Sequence, residues 1–425
     1  MKGIMKKEWI TRCLAIIVLL LPTKGFTNAY FIDSMDGKAT GMADAFTAIA
    51  DDPAAVYYNP AGMVQLDGTR ISTDLTFVDI RDATFKSNGT SLFGTAGHTT
   101  DARPTQAYIP NLFMTHKVSD SLSLGMGMYS NIGLSTHWPD GWEGRYISGG
   151  TDAMIKTITL NPAAAYRVHK KLSLSGGLVL QKAEVQLQNK YPVVVGETVY
   201  PDATMKLTAD DQVSYGYNLA FLAWLTDDVK LGMSYRSAMR HDLDGTFKLY
   251  GTPGAAGDMK DDISTVITLP ALLYTGIAYT KGPLALDFDM VYVQWSNIHD
   301  MKVDFDTLPD SDTPKKWNNT WNYRLGGSYN LTEAFALRTG VEYSQNPIPD
   351  STVEPTTPTN NRWRLCLGGG YNTGNLTLDL AYNYFYWTSK RTYNNATGDY
   401  GTAGQMTGEF DVPAHLIATT IGYKF

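Results

Sequence analysis

Cysteine is almost missing from this chain. Two occur in 425 residues, Cys13 and Cys366, so no disulfide framework carries the fold. Long apolar runs are missing as well. The one uninterrupted stretch, Leu14 to Leu21, is far shorter than the about 20 residues a spanning helix needs. A mean hydropathy of -0.21 is too polar for a bundle of such helices. Positive charge is scarce: 35 Lys and Arg stand against 42 Asp and Glu, a net of -7, which argues against a nucleic-acid partner. No Gly-x-Ser-x-Gly occurs, and the seven histidines are scattered, among them His116, His137, His169 and His299. A lipid hydrolase would need a Ser and a His held together near a membrane boundary. The reading is of a non-enzyme that uses no cofactor and no metal.

The apolar stretch has a context of its own. Lys2, Lys6, Lys7 and Arg12 precede it, and the small residues Thr27 and Ala29 follow, which predicts a secretory signal peptide over residues 1–29, cleaved between Ala29 and Tyr30. Cys13 stands ahead of the apolar core, where a lipoprotein cysteine does not, so no lipid anchor is read. Cleavage would leave Cys366 alone. It would also remove five basic residues and one acidic one, taking the net charge to -11. That acidic excess reads as solvated loop and lumen surface rather than as a cation site.

What the sequence does have, from Leu122 to Phe425, is alternation. Leu376, Leu378, Leu380, Tyr382, Tyr384 and Tyr386 share one face of an extended run, while Thr377, Asp379, Ala381 and Asn383 share the other. Phe335, Leu337, Thr339, Val341 and Tyr343 alternate with Arg338 and Glu342 in the same way. Leu284, Leu286, Phe288, Met290 and Tyr292 alternate with Asp287 and Asp289. One face suits lipid and the other a lumen. A soluble β-sandwich would also alternate, but its strands are usually shorter, about five or six residues. One run changes phase: Leu172 to Leu180 is apolar at even positions, whereas Ala183, Val185 and Leu187 are odd, so either a bulge intervenes or the strand leaves the membrane near Gln181.

Counting the turns gives the architecture. Short polar turns are predicted at Ser119 to Ser121, His169 to Lys171, Thr226 to Asp228, Lys281 to Pro283, Leu331 to Glu333 and Asn372 to Asn375. With both termini in the periplasm, six such turns imply seven connections opposite and a transmembrane antiparallel β-barrel of about 14 strands over residues 67–425. Gln188 to Gln212, His241 to Asp262, Met301 to Asn318, Gln345 to Asn361 and Ser389 to Thr407 are predicted long extracellular loops. The last strand places Ile417, Thr419, Ile421, Tyr423 and Phe425 on one face. Tyr423 and the terminal Phe425 are the expected signal to the barrel-assembly machinery.

Residues 30–66 are different. Gly37, Gly41, Ala43, Ala45, Ala48, Ala50, Ala54 and Ala55 make the stretch rich in small residues, and Asp51-Asp52-Pro53 divides it into two short helical pieces. A compact apolar segment ahead of a barrel is expected to plug it, since a wide lumen otherwise leaks. An open general porin or an adhesin is the competing reading of the barrel alone.

Thr40-Gly41-Met42-Ala43-Asp44-Ala45-Phe46, Ala50-Asp51-Asp52 and Asn59-Pro60-Ala61-Gly62-Met63 closely resemble the N-terminal hatch of the FadL-type outer-membrane transporters of long-chain fatty acids and aromatic hydrocarbons. The resemblance continues through Ile109-Pro110-Asn111, Ser130-Asn131-Ile132-Gly133-Leu134, Asn161-Pro162-Ala163, Ser234-Tyr235-Arg236-Ser237, Trp295-Ser296 and Arg338-Thr339-Gly340. It implies a fourteen-stranded barrel with an N-terminal plug in the bacterial outer membrane. It also implies capture of a hydrophobic substrate at the outer loops, binding in the lumen against the N-terminal Tyr30 and Phe31, and lateral release beside a kinked third strand. On that resemblance Asn59, Pro60 and Ala61 form the hatch segment beside the kink, and Asn131 and Gly133 lie at it. Strand phase points Arg236, Arg324, Arg338 and Arg364 into the lumen, along with Lys230, where an arginine fork suits a carboxylate. The same arginines would equally pair with Asp287, Asp289, Glu342 or Asp379 along the wall. The expected partners are a hydrophobic small molecule, outer-membrane lipid and lipopolysaccharide, and the expected state is a monomer.

Overall fold

A computed structural model describes residues 31–89, 96–195, 197–252, 257–394 and 406–425. The predicted leader and Tyr30 lie outside the described residues. Fourteen antiparallel runs among the described residues form one closed wall. In chain order they begin with β1 (Thr69–Ile80), β2 (Thr105–Lys117), β3 (Leu122–Tyr129, resuming as Gly133–His137), β4 (Asp152–His169) and β5 (Leu172–Val195). They continue with β6 (Thr198–Asp210, then Ser214–Trp224), β7 (Val229–Arg236, then Met239–Tyr250) and β8 (Met259–Leu269, then Leu272–Lys281). β9 (Leu284–Val293, then Asp300–Phe305), β10 (Thr320–Asn330), β11 (Phe335–Ser344), β12 (Arg362–Asn372), β13 (Leu376–Trp387) and β14 (Ala414–Lys424) complete the set. β1 pairs with β14 on one side, Arg70 opposite Lys424, and with β2 on the other, Thr69 opposite His116, which closes the ring. A closed ring leaves no edge with unpaired amides in hydrocarbon.

All six short turns stand where the sequence places them, at one end of the barrel. Gly282 (φ 56) and Gly374 (φ 89) supply the left-handed residue that two of them need. Three of the stretches expected as long loops are instead mostly wall. β5 and β6 run on to Val195 and Thr198, β7 and β8 to Tyr250 and Met259, and Met301 to Asn318 holds the Asp300–Phe305 and Ser311–Pro314 ladder. Their polar composition reflects a wall that stands in water beyond the bilayer. Hydrogen bonding along the ladder continues there because the backbone needs partners whatever the side chains face. Four short strands, Thr84–Ser87, Thr99–Asp101, Arg391–Asn394 and Thr407–Asp411, form a separate small sheet in the connections at that end.

β5 settles how its phase change is achieved. The register against β4 is unbroken from Asp152 opposite Gln188 to Leu160 opposite Leu180, so no bulge intervenes at Gln181. Odd residues point inward throughout; what changes is their chemistry. Below Gln181 the outward face carries Leu174 and Leu178, and above it Lys182 and Glu184, while Ala183 and Val185 turn apolar side chains inward. The strand has left the membrane and lines an apolar interior there. Aromatic side chains mark both limits of the lipid belt: Trp321, Tyr343 and Trp363 on one side, Tyr329, Phe335 and Tyr371 on the other. Trp363 and Tyr371 are eight residues apart on β12, roughly 26 Å along the strand and about 20 Å across the membrane once it is tilted, near the about 25 Å of an outer-membrane belt.

The inversion on β5 yields a paired test. Leu178→Arg should lower the unfolding free energy in lipid by about 2–4 kcal/mol, as expected near the bilayer midplane, whereas Glu184→Arg on the same face should change it little. Equal losses in urea titrations followed by gel mobility would refute the assigned membrane limit.

Candidate functional site

Residues 31–66 fill the lumen. Two four-residue helices, α1 (Gly37–Thr40) and α2 (Ala55–Tyr58), and a 3-10 turn at Pro60–Gln65 are separated by the Asp51-Asp52-Pro53 break, as the sequence indicated. Helices this short are not stable alone, so the wall must hold them. Asp36 caps α1 by accepting from the amides of Lys38 and Ala39. The wall is shaved where the hatch touches it: a Cβ at Gly340 would lie 2.4 Å from the Met42 carbonyl carbon, and one at Gly326 would lie 2.3 Å from its oxygen. Small residues on both sides let backbone approach backbone.

Two sets of charges fix the hatch. Asp289 on β9 accepts from the amides of Phe46 and Thr47 at 3.0 Å, and Asp287 accepts from Ala48 at 3.1 Å and Ile49 at 3.0 Å. A four-residue loop that could not hydrogen-bond to itself is thereby satisfied. On the next three strands the set continues, Asp289 facing Arg324, Glu342 and Arg364 in register, and Arg364 donates to Asp44 at 2.6 Å, to the Ala43 carbonyl at 2.7 Å and to Glu342 at 2.6 Å. Arg324 donates to Glu342 at 2.8 Å and contacts Asp33. Ala43 and Asp44 both adopt φ 57, a left-handed conformation unfavourable for alanine, and it is this bend that presents the Ala43 carbonyl to Arg364.

The inward phase of the four arginines is as read from the sequence, but three serve the structure. Arg324 and Arg364 are committed to the hatch, and Arg338 pairs with Asp379 at 2.6 Å. Lys230 donates to the Ile49 carbonyl and to Gln65, both at 3.1 Å. Arg236 differs: it is buried between the rings of Tyr57 and Tyr129, donating to the Tyr129 hydroxyl at 2.6 Å, to Asn161 and to the Tyr57 carbonyl, with no carboxylate against it among the described residues. The hatch carboxylates Asp33 and Asp44 carry half of this network without having been singled out in the sequence; a strand-phase argument cannot reach residues outside strands. Arg362 was passed over too, although it shares the inward phase of Arg364 two residues on.

The third strand is interrupted. β3 pairs with β2 only as far as Met128 opposite Leu112, leaves the sheet at Ser130, and resumes at Gly133 opposite Lys156 of β4. No ladder joins the resumed half to β2, whose residues from Thr105 to Asn111 pair with β1 alone. The wall therefore has a gap between β2 and β3. The hatch reaches it through its first described residues: Phe31 bridges to Ile132, and the Ile32 amide donates to the Asn131 carbonyl at 2.9 Å. The Asn131 side chain accepts from Thr159 at 3.3 Å and Gln181 at 3.0 Å, which holds the displaced segment against β4 and β5. Asn59, Pro60 and Ala61 lie elsewhere, against β5 and β6, where Asn59 donates to the Phe221 carbonyl at 3.0 Å and the Ala61 carbonyl accepts from Ser173 at 2.8 Å.

Two cavities flank the hatch. At the long-connection end, one of about 710 Å³ is lined by Ile155, Val185, Leu187, Met205, Phe247, Met301 and Val303, with the ion pair of Lys315 and Glu354 at its side. At the short-turn end, one of about 450 Å³ is lined by Asp36, Lys38, Asp51, Asp52, Arg338 and Asp379. The first suits apolar molecules and the second repels them.

The same architecture occurs in solved structures. The crystal structure of a Pseudomonas aeruginosa FadL homologue superposes with a TM-score of 0.82 at 21% identity, over 93% of this chain and 100% of that one. The Pseudomonas putida toluene transporter TodX gives 0.68 at 17% identity, over 88% and 94%. Among characterised sequences, the long-chain fatty acid transport protein of Escherichia coli O6:H1 is 25% identical over 97% of this chain and 98% of its own length. Outer membrane protein P1 of Haemophilus influenzae is 26% identical over 89% and 90%. The family described as "Outer membrane protein transport protein (OMPP1/FadL/TodX)" matches residues 18–425, and this chain, with its plugged and interrupted fourteen-stranded barrel, belongs to it.

Proposed function

We propose that the protein carries hydrophobic compounds, long-chain fatty acids or related hydrocarbons, across the outer membrane by capture, lumenal transfer and lateral release. The carrying observation is the gap between β2 and β3. A barrel wall that forgoes hydrogen bonds inside lipid needs a reason, and a side door for apolar cargo supplies one. In this reading the short-turn end and both termini face the periplasm, and the apolar cavity at the other end receives cargo. Burial there is worth about 0.8 kcal/mol per methylene. Straight passage would bring that cargo into the charged vestibule and then water; passage through the gap keeps its methylenes in hydrocarbon.

The hatch residues take separate parts. Phe31 occupies the lumenal side of the gap and would be displaced or stacked upon by cargo. Asn131 and Gly133 bound the gap itself. Asn59, Pro60 and Ala61 anchor the rear of the hatch, so that its front moves while its base stays. Arg236, desolvated between two tyrosines without a carboxylate, is a polar contact for cargo in the lumen, while Arg324, Arg338 and Arg364 hold the plug. Tyr423 and Phe425, outward-facing on β14 beside β1, complete the strand offered to the barrel-assembly machinery.

The side door is tested by tying it shut. With Cys366 replaced by Ala, a disulfide joining β2 within Thr105 to Ile109 to β3 within Gly133 to His137 should block uptake of an apolar substrate by cells while binding persists, and reduction should restore it. Uptake at the uncrosslinked rate would direct the cargo elsewhere.

The plug is tested by conductance. The full chain should be nearly silent in planar bilayers. Arg364→Met, which leaves Asp44 buried without its cation and Glu342 with Arg324 alone, should destabilise hatch docking by about 3–5 kcal/mol and raise ion conductance, with the heat-modifiable barrel retained. High conductance of the unaltered chain would favour the open-porin reading.

A further inference from the structure

Past the limit of the lipid belt at the long-connection end, the outward face of the wall carries a notch. It measures about 370 Å³ and is lined by Lys182 and Glu184 of β5, Thr208 and Asp210 of β6, and Gly245 and Thr246 of β7. Gly245 keeps its floor open: a Cβ there would run into the Thr208 carbonyl oxygen and lie 2.6 Å from the Ala209 Cα. Lys182 meets Asp210 at 2.9 Å, and the Thr208 and Thr246 hydroxyls are 3.3 Å apart. Two residues further out, lysines stand in one row, Lys206 directly opposite Lys248 and Lys248 opposite Lys260. Like charges opposed across a ladder destabilise it unless something answers them. Asp262 lies 3.8 Å from Lys260, but Lys206 and Lys248 form no ion pair with a described residue. The acidic row of Glu184, Asp210 and Asp244 stands four residues nearer the membrane, about 13 Å along the strand, beyond the about 8 Å over which charge acts in physiological salt. Glu184 is met by Lys156 at 3.8 Å, as Asp210 is by Lys182.

We infer that this face binds the phosphorylated saccharide of an outer-leaflet glycolipid, the notch taking a sugar ring while Lys206 and Lys248 take its phosphates. The inference uses the transport reading above only for orientation, that the long connections face outward. Position identifies the occupant. Lys206 pairs with Gln188, seven residues past Gln181, which is roughly 23 Å along the strand and about 18 Å above the lipid once the strand is tilted. At that height the outside of a barrel wall touches the sugars carried on outer-leaflet lipid, whose strongest acids are phosphates. The side chains agree with that occupant. Carboxylates accept from sugar hydroxyls, and threonine hydroxyls both donate and accept. A lysine ammonium is a compact point charge that meets a phosphate from any direction, so a row of them follows a chain of phosphates without fixing its plane. The other face of the same ladder is apolar: Leu207 and Phe247, adjacent in sequence to Lys206 and Lys248, line the cavity of about 710 Å³. The alternation that serves an apolar interior thus leaves the outer face free to carry this row.

The test uses the full chain in detergent with divalent ions chelated, and two probes: lipopolysaccharide cut back to its phosphorylated inner sugars, and the same glycolipid after phosphatase treatment. Native mass spectrometry reads how much of each the protein retains across a titration. The unaltered protein should hold the phosphorylated form about tenfold more tightly, as charge-assisted hydrogen bonds to phosphate require. Lys206→Gln with Lys248→Gln should abolish that preference. Lys170→Gln with Lys171→Gln, an equal loss of charge in a turn at the other end of the barrel, should leave it unchanged. Thr208→Val with Thr246→Val should weaken both forms alike. Equal retention of the two forms by the unaltered protein overturns the inference, and so does an unchanged preference in the Lys206 and Lys248 variant. Retention that appears only with divalent ions and ignores both lysines also overturns it, since binding would then belong to the acidic row. Uptake of an apolar substrate, measured in the same variants, reports on the transport reading alone: no uptake by the unaltered chain, with the phosphate preference intact, removes that reading and leaves this site standing.

Discussion

The structure turns on charge buried inside the barrel. A hatch of four-residue helices has no stability of its own, and apolar contact alone does not define where it sits. Asp33, Asp44 and Glu342 meeting Arg324 and Arg364 give it one register, because any shift would leave a charge in the lumen without its partner. Asp287 and Asp289 add the complementary contact, accepting backbone amides from residues 46–49. The wall glycines and the left-handed bend at Ala43 and Asp44 follow from these contacts: both exist to bring hatch backbone within reach of the charged side chains.

The hatch is held firmly, and the wall beside its leading edge is interrupted at β3. Breaking a ladder in lipid leaves amides and carbonyls to be satisfied. In the displaced segment the Asn131 and Ile132 carbonyls accept from the Ile32 amide and the Thr157 hydroxyl, and the Asn131 side chain ties the segment to Thr159 and Gln181. Gln181 accepts in turn from buried His241, itself bound to Asp211 at 2.6 Å, so the break is built into a polar network that runs to β7. The gap is thus a designed feature of the wall rather than a frayed edge.

Above the membrane the wall reverses its polarity. On β5 the charged residues face out and the apolar ones face in, because outside is water and inside is the cavity of about 710 Å³. The same strand therefore faces lipid below Gln181 and an apolar cavity above it, over a lumen whose base, at the short-turn end, is charged.

Much of this was legible in the sequence. Alternation, the six short turns and the terminal aromatic of the last strand determined a fourteen-stranded barrel, since side-chain period and turn chemistry are local properties of the chain. Small residues and the Asp51-Asp52-Pro53 break determined a compact, divided segment ahead of it. The inward phase of Arg236, Arg324, Arg338 and Arg364 was equally local. What those arginines do was not: their partners Asp33 and Asp44 are about 290 and 320 residues away in the chain, and only closure of the barrel around the hatch brings them together. The phase change on β5 was visible as a conflict, but only its unbroken register showed a strand leaving the membrane. Arg362 and Arg364 share a strand and a phase, so the sequence gives them the same description. Tertiary structure separates them, because the hatch carboxylate Asp44 reaches Arg364, whereas Arg362 packs on the Phe385 ring and pairs with no carboxylate among the described residues.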